Sequence, residues 1–274
     1  MTSEATLTSV TTAAPEAEGI ELDAITKVYP SSDGEVIALS ETTLSIEPGE
    51  FVAVVGPSGC GKSTLLQTLA GFVTPTTGTA RVGGHVIDGP NPDRGVVFQS
   101  PTLYPWLTVA GNVEFGLRAR GVPSAQRRER SASVLKLVGL ADFADKRPYE
   151  LSGGMQQRAQ IARVLVGDPG IVLMDEPFSA LDPFTRQRLQ VELLSIWERD
   201  RKTVLFVTHS VEEAVFLATR VVVMSARPGR VIADRPVRLP GDVPGAARTV
   251  DVLGTPEFAA LKAELARLIL EAHG

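Results

Sequence analysis

"FVAVVGPSGCGKST", residues 51–64, runs five apolar residues into a loop of glycines, one lysine and hydroxyl side chains. An apolar run of that length, followed by "KSTLLQTLAG" with helical character and a closing Gly71, reads as buried strand, loop, helix. Within it Gly56, Gly61, Lys62 and Ser63 match G-x-x-x-x-G-K-[ST], in the strand-before, helix-after setting the motif requires. Glycines reach the left-handed backbone angles that turn successive N–H groups toward an anion, and the helix N-terminus adds a favourable dipole. The stretch Gly56, Pro57, Ser58, Gly59, Cys60, Gly61, Lys62, Ser63 and Thr64 is therefore expected to cradle the phosphates of a nucleotide. Lys62 would reach the β- and γ-phosphates and Ser63 would ligate Mg²⁺. Cys60 sits at a variable position of the loop and is expected to be a bystander; the alternative is an exposed thiolate that would make the protein sensitive to alkylation.

The rest of the composition narrows the class. With 274 residues and 43% hydrophobic positions, the chain can bury a real core and fits one domain of ordinary size or one with an attached subdomain. Lysine and arginine total 27 against 32 acids, a net charge of −5, which gives no bulk attraction to nucleic acid; no nucleic-acid partner is expected. The single cysteine excludes an internal disulfide and fits a reducing compartment. Residues 1–18 lack a basic start and a continuous apolar stretch, so they are expected to form a disordered polar tail and not a signal peptide. No apolar run approaches the ~18 residues of a membrane span.

Short β-rich runs alternate with helical patterns along the chain. "IELDAITKVY" and "ALSETTLSI" read as antiparallel strands, "ARVGGHVI" as a hairpin about Gly83 and Gly84, and "GVVF" as a further buried strand. Between Gln99 and Leu151 the character is helical, with Val134, Leu135 and Val138 forming an apolar stripe in "PSAQRRERSASVLKLVGL". Strands return at "IVLMD", "TVLFVTH" and "RVVVMS", separated by a helix from Pro183 to about Asp200 and by "SVEEAVFLA". Alternation of helices with wholly apolar strands predicts a parallel sheet covered on both faces. Near the end, Phe258, Leu261, Leu265, Leu268 and Ile269 share one helical face, expected to dock on the body of the protein.

Two further segments carry chemistry. "IVLMDEP" ends an apolar strand at Asp175, placed to hold Mg²⁺ or its water, with Glu176 next to it able to polarise an attacking water. Alone, an acidic pair at a strand end is a cap or a solvated turn; beside the phosphate loop it reads as catalytic. "LSGGMQQR", Leu151 to Arg158, places Ser152 as the N-cap of a helix whose first N–H groups form a second anion site.

Taken together, "GPSGCGKST", "LSGGMQQR", "IVLMDEP", "SALD", Gln99 and His209 resemble the ATP-binding-cassette (ABC) ATPases, in that family's order, over residues 20 to about 235. The resemblance implies an α/β fold of the P-loop NTPase ABC type: a mostly parallel sheet core, an antiparallel β subdomain and an inserted helical subdomain at about 100–163. The ATPase domain would span 19–240, followed by a 241–274 extension with its amphipathic helix. It implies that Ser152, Gly153 and Gly154 bind the γ-phosphate of ATP held by an opposing copy, so that a head-to-tail homodimer sandwiches two ATP molecules. Met155 stands where glutamine is commonest, which leaves the serine and glycine contacts unaffected. By the same resemblance Tyr29 stacks on adenine, Gln99 touches Mg²⁺ and the attacking water, Asp182 lies in the loop that crosses the dimer interface, and His209 senses the γ-phosphate. Lys62, Gln99, Glu176 and His209 would carry catalysis, and Ser63, Gln99 and Asp175 would serve the metal.

Three tasks compete for such an ATPase: driving a membrane transporter, acting as a soluble cassette protein of DNA repair or translation, or binding nucleotide without turnover. The second would need a long coiled-coil insertion or a second cassette, and positions 100–150 hold only a short helical stretch. The third would be expected to lose Glu176 or His209, and both are present. The transporter reading implies two transmembrane permease subunits, an extracytoplasmic solute-binding protein and a place on the cytoplasmic face of the membrane. "RGVVFQSPTLYPWLTVAGNVEFGL" and "MSARPGRVIADRPV" further resemble the ATPases of nitrate, taurine and aliphatic-sulfonate importers. There Tyr104, Pro105 and Trp106 would line a groove for a short permease helix. "GPNPDRGVVFQ" leans toward the taurine type, with nitrate or a related anion as the alternative cargo.

Overall fold

The computed structural model describes residues 17–32, 34–242 and 246–272, so most of the expected N-terminal tail lies outside the described residues. Two sheets form the body. β1 (Ile20–Ser31) pairs antiparallel with β2 (Gly34–Ile46) on one side and with β4 (Thr77–Val82) on the other, and β4 turns through Gly83 and Gly84 into β5 (His85–Val86). The second sheet has the order β10-β9-β3-β8-β7-β6. In it β3 (Phe51–Val55), β6 (Arg94–Val97), β7 (Ile171–Asp175), β8 (Thr203–Val207) and β9 (Arg220–Met224) run parallel, and β10 (Val231–Pro236) is antiparallel to β9.

β3, β7 and β8 are buried along their whole length, which is why their sequences are uninterruptedly apolar. Alternate residues feed two cores. Phe51, Ala53, Val55, Met174 and Phe206 join the helices on one face, while Val52, Val54, Leu173, Leu205 and Val207 meet α1 (Lys62–Ala70) and the antiparallel sheet on the other. Phe51 sets its ring edge against Trp197 at 5.8 Å and 81°, and burial of an aromatic ring of this size contributes about 1.5–3 kcal/mol.

"GVVF" departs from its expected reading. β6 is the edge strand of the parallel sheet, and of its residues only Val97 is fully buried. The strand is covered by α4 (Gly153–Leu165) and the turn after it, where Val164 and Pro169 press on Gly95. The helical insertion consists of α2 (Val109–Ala119), α3 (Ser124–Leu137) and α4, with two 3₁₀ turns, Ala141–Phe143 and Pro148–Glu150, between α3 and α4. Leu135 and Val138 are buried in it, and Val134 packs partly buried on the same core.

α5 (Pro183–Asp200) and α6 (Val211–Leu217) follow β7 and β8. α7 (Pro256–Glu271) buries Phe258 and Leu265 in the main core, with Leu261, Leu268 and Ile269 partly buried against it. Its apolar face therefore lies on the protein's own body, beside α6. Among the described residues no helix is long and apolar enough to cross a membrane.

Candidate active site

The loop 56–64 leaves β3 at the end where β7 and β8 also finish, so all three strands deliver their following residues to one edge of the sheet. Gly61, at φ +93°, ends the loop and starts α1; a Cβ there would stand 2.6 Å from the Ala38 carbonyl, so no other residue fits. Lys62 is only 7% exposed and donates to the carbonyls of Gly56 and Pro57, both at 2.8 Å, holding the loop closed on its own amine. Ser58, Gly59 and Ser63 are exposed and Thr64 is half-buried.

Of the two readings of Cys60, the exposed thiolate is overturned. Cys60 is fully buried within the core that contains α1 and the antiparallel sheet, its Sγ 3.7 Å from Lys62 Nζ, and Gly229 packs on its carbonyl so closely that a Cβ there would lie 1.8 Å away. The thiol faces the protein and is shielded from alkylating reagents.

Asp175 is the last residue of β7, and its carboxyl interacts with the Ser63 hydroxyl. Burial raises its pKa and the neighbouring Glu176 adds to this, against the Ser63 hydrogen bond and the Lys62 charge. A buried carboxylate beside a hydroxyl is an all-oxygen donor set. It suits Mg²⁺, which binds through one or two carboxylates plus substrate phosphates in preference to a protein cage. No group of three or more His, Cys, Asp or Glu side chains that could hold a metal ion occurs among the described residues.

Glu176 takes φ +44°, a strained value for a residue with a side chain, held by its N–H donating to the Val207 carbonyl at 2.9 Å. That turn presents the carboxylate to two partners. Gln99 Nε2, just after β6, donates to Glu176 Oε2 at 3.1 Å, and His209 Nδ1, just after β8, lies 3.1 Å from the same oxygen. Three residues from three strand ends thus converge on one atom.

Ser152, Gly153 and Gly154 stand apart from this cluster, and no hydrogen bond among the described residues joins them to residues 56–64. Ser152 is exposed and caps α4 by accepting from Met155 N at 3.3 Å, while Gly154 packs against Ala180 and Leu181. Asp182 caps α5 by accepting from Thr185 N at 3.0 Å. Its pKa is lowered by the hydrogen bonds from Thr185, outweighing desolvation. Tyr29 lies half-buried on β1 with Lys27 Nζ 5.1 Å above its ring.

Several polar residues that position the Gln99 segment escape a motif reading. Gln157 and Gln160, fully buried on α4, donate to the Phe98 carbonyl at 3.1 and 2.6 Å, and Gln160 Oε1 accepts from Thr102 N at 2.8 Å. Asn112, buried on α2, accepts from Tyr104 N at 2.7 Å and donates to the Tyr104 carbonyl at 3.1 Å. The signal was in plain view: polar residues on the apolar faces of helices, where each must find a partner. The turn they hold exposes Trp106 to 67%, with its ring 5.5 Å from that of Tyr104. Trp106 is therefore a surface residue and no part of the subdomain core.

Comparison with known proteins agrees with this geometry. Residues 39–179 match the family model described as ABC transporter. A nitrate import ATP-binding protein of Synechocystis is 46% identical over 251 residues, covering 91% of this chain and 94% of that protein. A taurine import ATP-binding protein of Sinorhizobium fredii is 45% identical over 245 residues, covering 88% and 92%. Among solved structures, a dimeric ATP-binding cassette in a post-hydrolysis state with ADP and Pi superposes with a TM-score of 0.74 at 34% identity, covering 80% of this chain and 99% of that one. Similarity of this extent, on a fold whose strand ends assemble the loop, the acidic pair, Gln99 and His209 at one edge, means that the chain belongs to the ABC transporter family and is an ATPase coupled to transport.

Proposed function

We propose that the chain is the ATPase subunit of an importer for a small anion, taurine or another aliphatic sulfonate, and that it works as a head-to-tail homodimer with MgATP between the copies. The observation that carries the ATPase half is the convergence of Gln99 and His209 on Glu176 Oε2 beside the phosphate loop. Lys62 and the N–H groups of residues 56–64 hold the β- and γ-phosphates, and Tyr29 stacks on the adenine. Glu176 takes the proton of a water attacking the γ-phosphorus; His209 steadies the carboxylate and then the departing phosphoryl group; Gln99 orients the water. Ser63, Asp175 and Gln99 would hold Mg²⁺, which would supply charge neutralisation of the phosphates. Ser152, Gly153 and Gly154 of the second copy close the site on the γ-phosphate, and Asp182 lies at the seam.

Permease subunits and an extracytoplasmic binding protein complete the assembly, with this chain at the cytoplasmic face of the membrane. The exposed Trp106, next to Tyr104 and Pro105 on a turn pinned by Asn112, supports a docking place for a permease helix. Relatives named for taurine and for nitrate import are similar to nearly the same degree, and the local sequence "GPNPDRGVVFQ" favours the sulfonate. The test is deletion of the gene with taurine or an alkanesulfonate as sole sulfur source. Loss of growth restored by the intact gene is expected; normal growth there with failure on nitrate would move the cargo to nitrate.

A further inference from the structure

A polar cavity of about 30 Å³ adjoins the Glu176 carboxylate and is lined by Glu176, Ser179, Arg186, Thr208, His209 and Glu213. Its organising group is Glu213, in the first turn of α6, whose side chain is only 10% exposed. Glu213 Oε2 accepts from Thr208 Oγ1 at 2.6 Å, and the same hydroxyl accepts from Ser210 N at 3.0 Å. One carboxylate oxygen therefore anchors the two residues that flank His209. The other oxygen, Oε1, faces Arg186 Nε across 3.7 Å, too far for a hydrogen bond. That Nε is buried and has no hydrogen-bond partner among the described residues. Buried donors and acceptors are almost always satisfied, and a polar cavity of this size accommodates a water.

We propose that Glu213 is a positioning residue for His209: through Thr208 it fixes the 208–210 turn, and through a water in the cavity, shared with Arg186, it ties that turn to α5. Arg186 Nη2 in turn donates to the Leu181 carbonyl, at 3.0 Å, so the link reaches the loop that carries Asp182. Burial raises the pKa of Glu213, and the bridging water solvates the oxygen that Thr208 leaves free. The inference rests on the proposed roles of Glu176 and His209.

The experiment measures kcat, KM for ATP and melting temperature on the full chain with Glu213→Ala, Glu213→Gln, Thr208→Val, Thr208→Ser and, as a control, His209→Ala. Glu213→Ala and Thr208→Val are each expected to lower kcat at least about tenfold with KM within about twofold, the mark of a group that places catalytic machinery without binding substrate. Thr208→Ser and Glu213→Gln, which keep the hydrogen bond, should stay within about threefold of wild type, and the Glu213→Ala, Thr208→Val pair should be no slower than the slower single variant. An unchanged kcat in either disruptive variant, an equal loss in ATP affinity, or additive losses overturns the proposal; should Glu213→Ala fail to fold, Thr208→Val decides. Wild-type turnover by His209→Ala would instead remove the catalytic reading on which the inference stands. In a crystal structure, a water between Arg186 Nε and Glu213 Oε1 is expected; Arg186 turned to solvent would remove the bridge.

Discussion

His209 Nδ1 lies 3.1 Å from Glu176 Oε2, although 33 positions separate the two residues. The parallel register of β7 and β8 produces this contact. Asp175 pairs with Val207, so the residues just past the two strand ends fall side by side at the sheet edge. The strained φ of Glu176 turns its carboxylate toward the histidine, and Gln99 completes the group from the strand on the far side of β7.

If that carboxylate activates water, Glu176→Gln should bind MgATP yet hydrolyse it at least ~10²-fold more slowly, the usual scale for a positioned acid–base group. Held with ATP, the variant should run as a dimer in size-exclusion chromatography. Steady-state hydrolysis at the wild-type rate would take Glu176 out of the reaction.

Lys62→Ala should fail at an earlier step. Its amine makes two 2.8 Å hydrogen bonds within the loop and stands where the phosphates would enter, so its removal weakens both the loop and a charge-assisted contact. ATP affinity, measured by calorimetry, should fall by at least about tenfold, the equivalent of one hydrogen bond to a charged group. Affinity equal to wild type would contradict the loop assignment.

In the proposed head-to-tail dimer Ser152 acts on ATP held by the second copy, and no hydrogen bond among the described residues joins it to residues 56–64 of its own chain. On that proposal a mixture of Lys62→Ala and Ser152→Arg chains should form heterodimers with one intact composite site, whereas each parent homodimer should have none. ATP binding recovered in the mixture and absent from both parents is expected. Absence of recovery under conditions where the chains demonstrably mix would sink the cross-copy geometry.

Arg248 bonds Asp242 through Nε and Nη2 at 2.6 and 2.9 Å and directs Nη1 to the carbonyls of Val215, Phe216 and Ala218 at 3.2, 3.1 and 2.7 Å. It thereby satisfies the C-terminal end of α6, the short helix whose other end follows His209. Arg248→Ala should cost about 2–3 kcal/mol, read as a melting temperature lower by several degrees. Burial would raise the pKa of Asp242, but the Arg248 and Leu239 hydrogen bonds and the Arg248 charge outweigh it and hold the carboxyl below its ordinary value. A lowered folded pKa contributes stability that is complete above the unfolded value, about 3.9, and is lost as pH falls through the folded one. The gap in melting temperature between wild type and Asp242→Asn should therefore be constant at neutral pH and shrink in acid; a gap independent of pH down to strong acid would show that the pair carries no charge-linked stability.

Local chemistry makes much of this protein legible from its residues. The strand, loop and helix from Phe51 to Ala70, the antiparallel pair β1 and β2, the buried β7, β8 and β9, and α5 with its Asp182 cap all follow from period, propensity and turn residues acting over a few positions. Motif order along the chain likewise identified the family. The apolar face of α7 was visible as a helical stripe, and Phe258 and Leu265 are its buried residues.

What the sequence left open depends on segments far apart in the chain. Cys60 is buried because it packs into a core built from segments far along the chain, Leu39, Val222 and Met224 among them, and nothing in residues 56–64 encodes that. β6 sits at an edge because no strand pairs beyond it, a matter of strand order that an apolar tetrapeptide cannot express. β10, short and mixed in character, becomes a strand only because β9 offers it an antiparallel partner. Gln157 and Gln160 turn inward to the Phe98 carbonyl because α4 packs across β6, and Glu213 meets Arg186 because α5 and α6 pack into the same core. Hydrophobic period and turn chemistry are properties of neighbouring residues, and they determined the elements. Burial, hydrogen-bond partners and the meeting of Gln99, Glu176 and His209 on one oxygen are properties of packing, and only the tertiary structure could decide them.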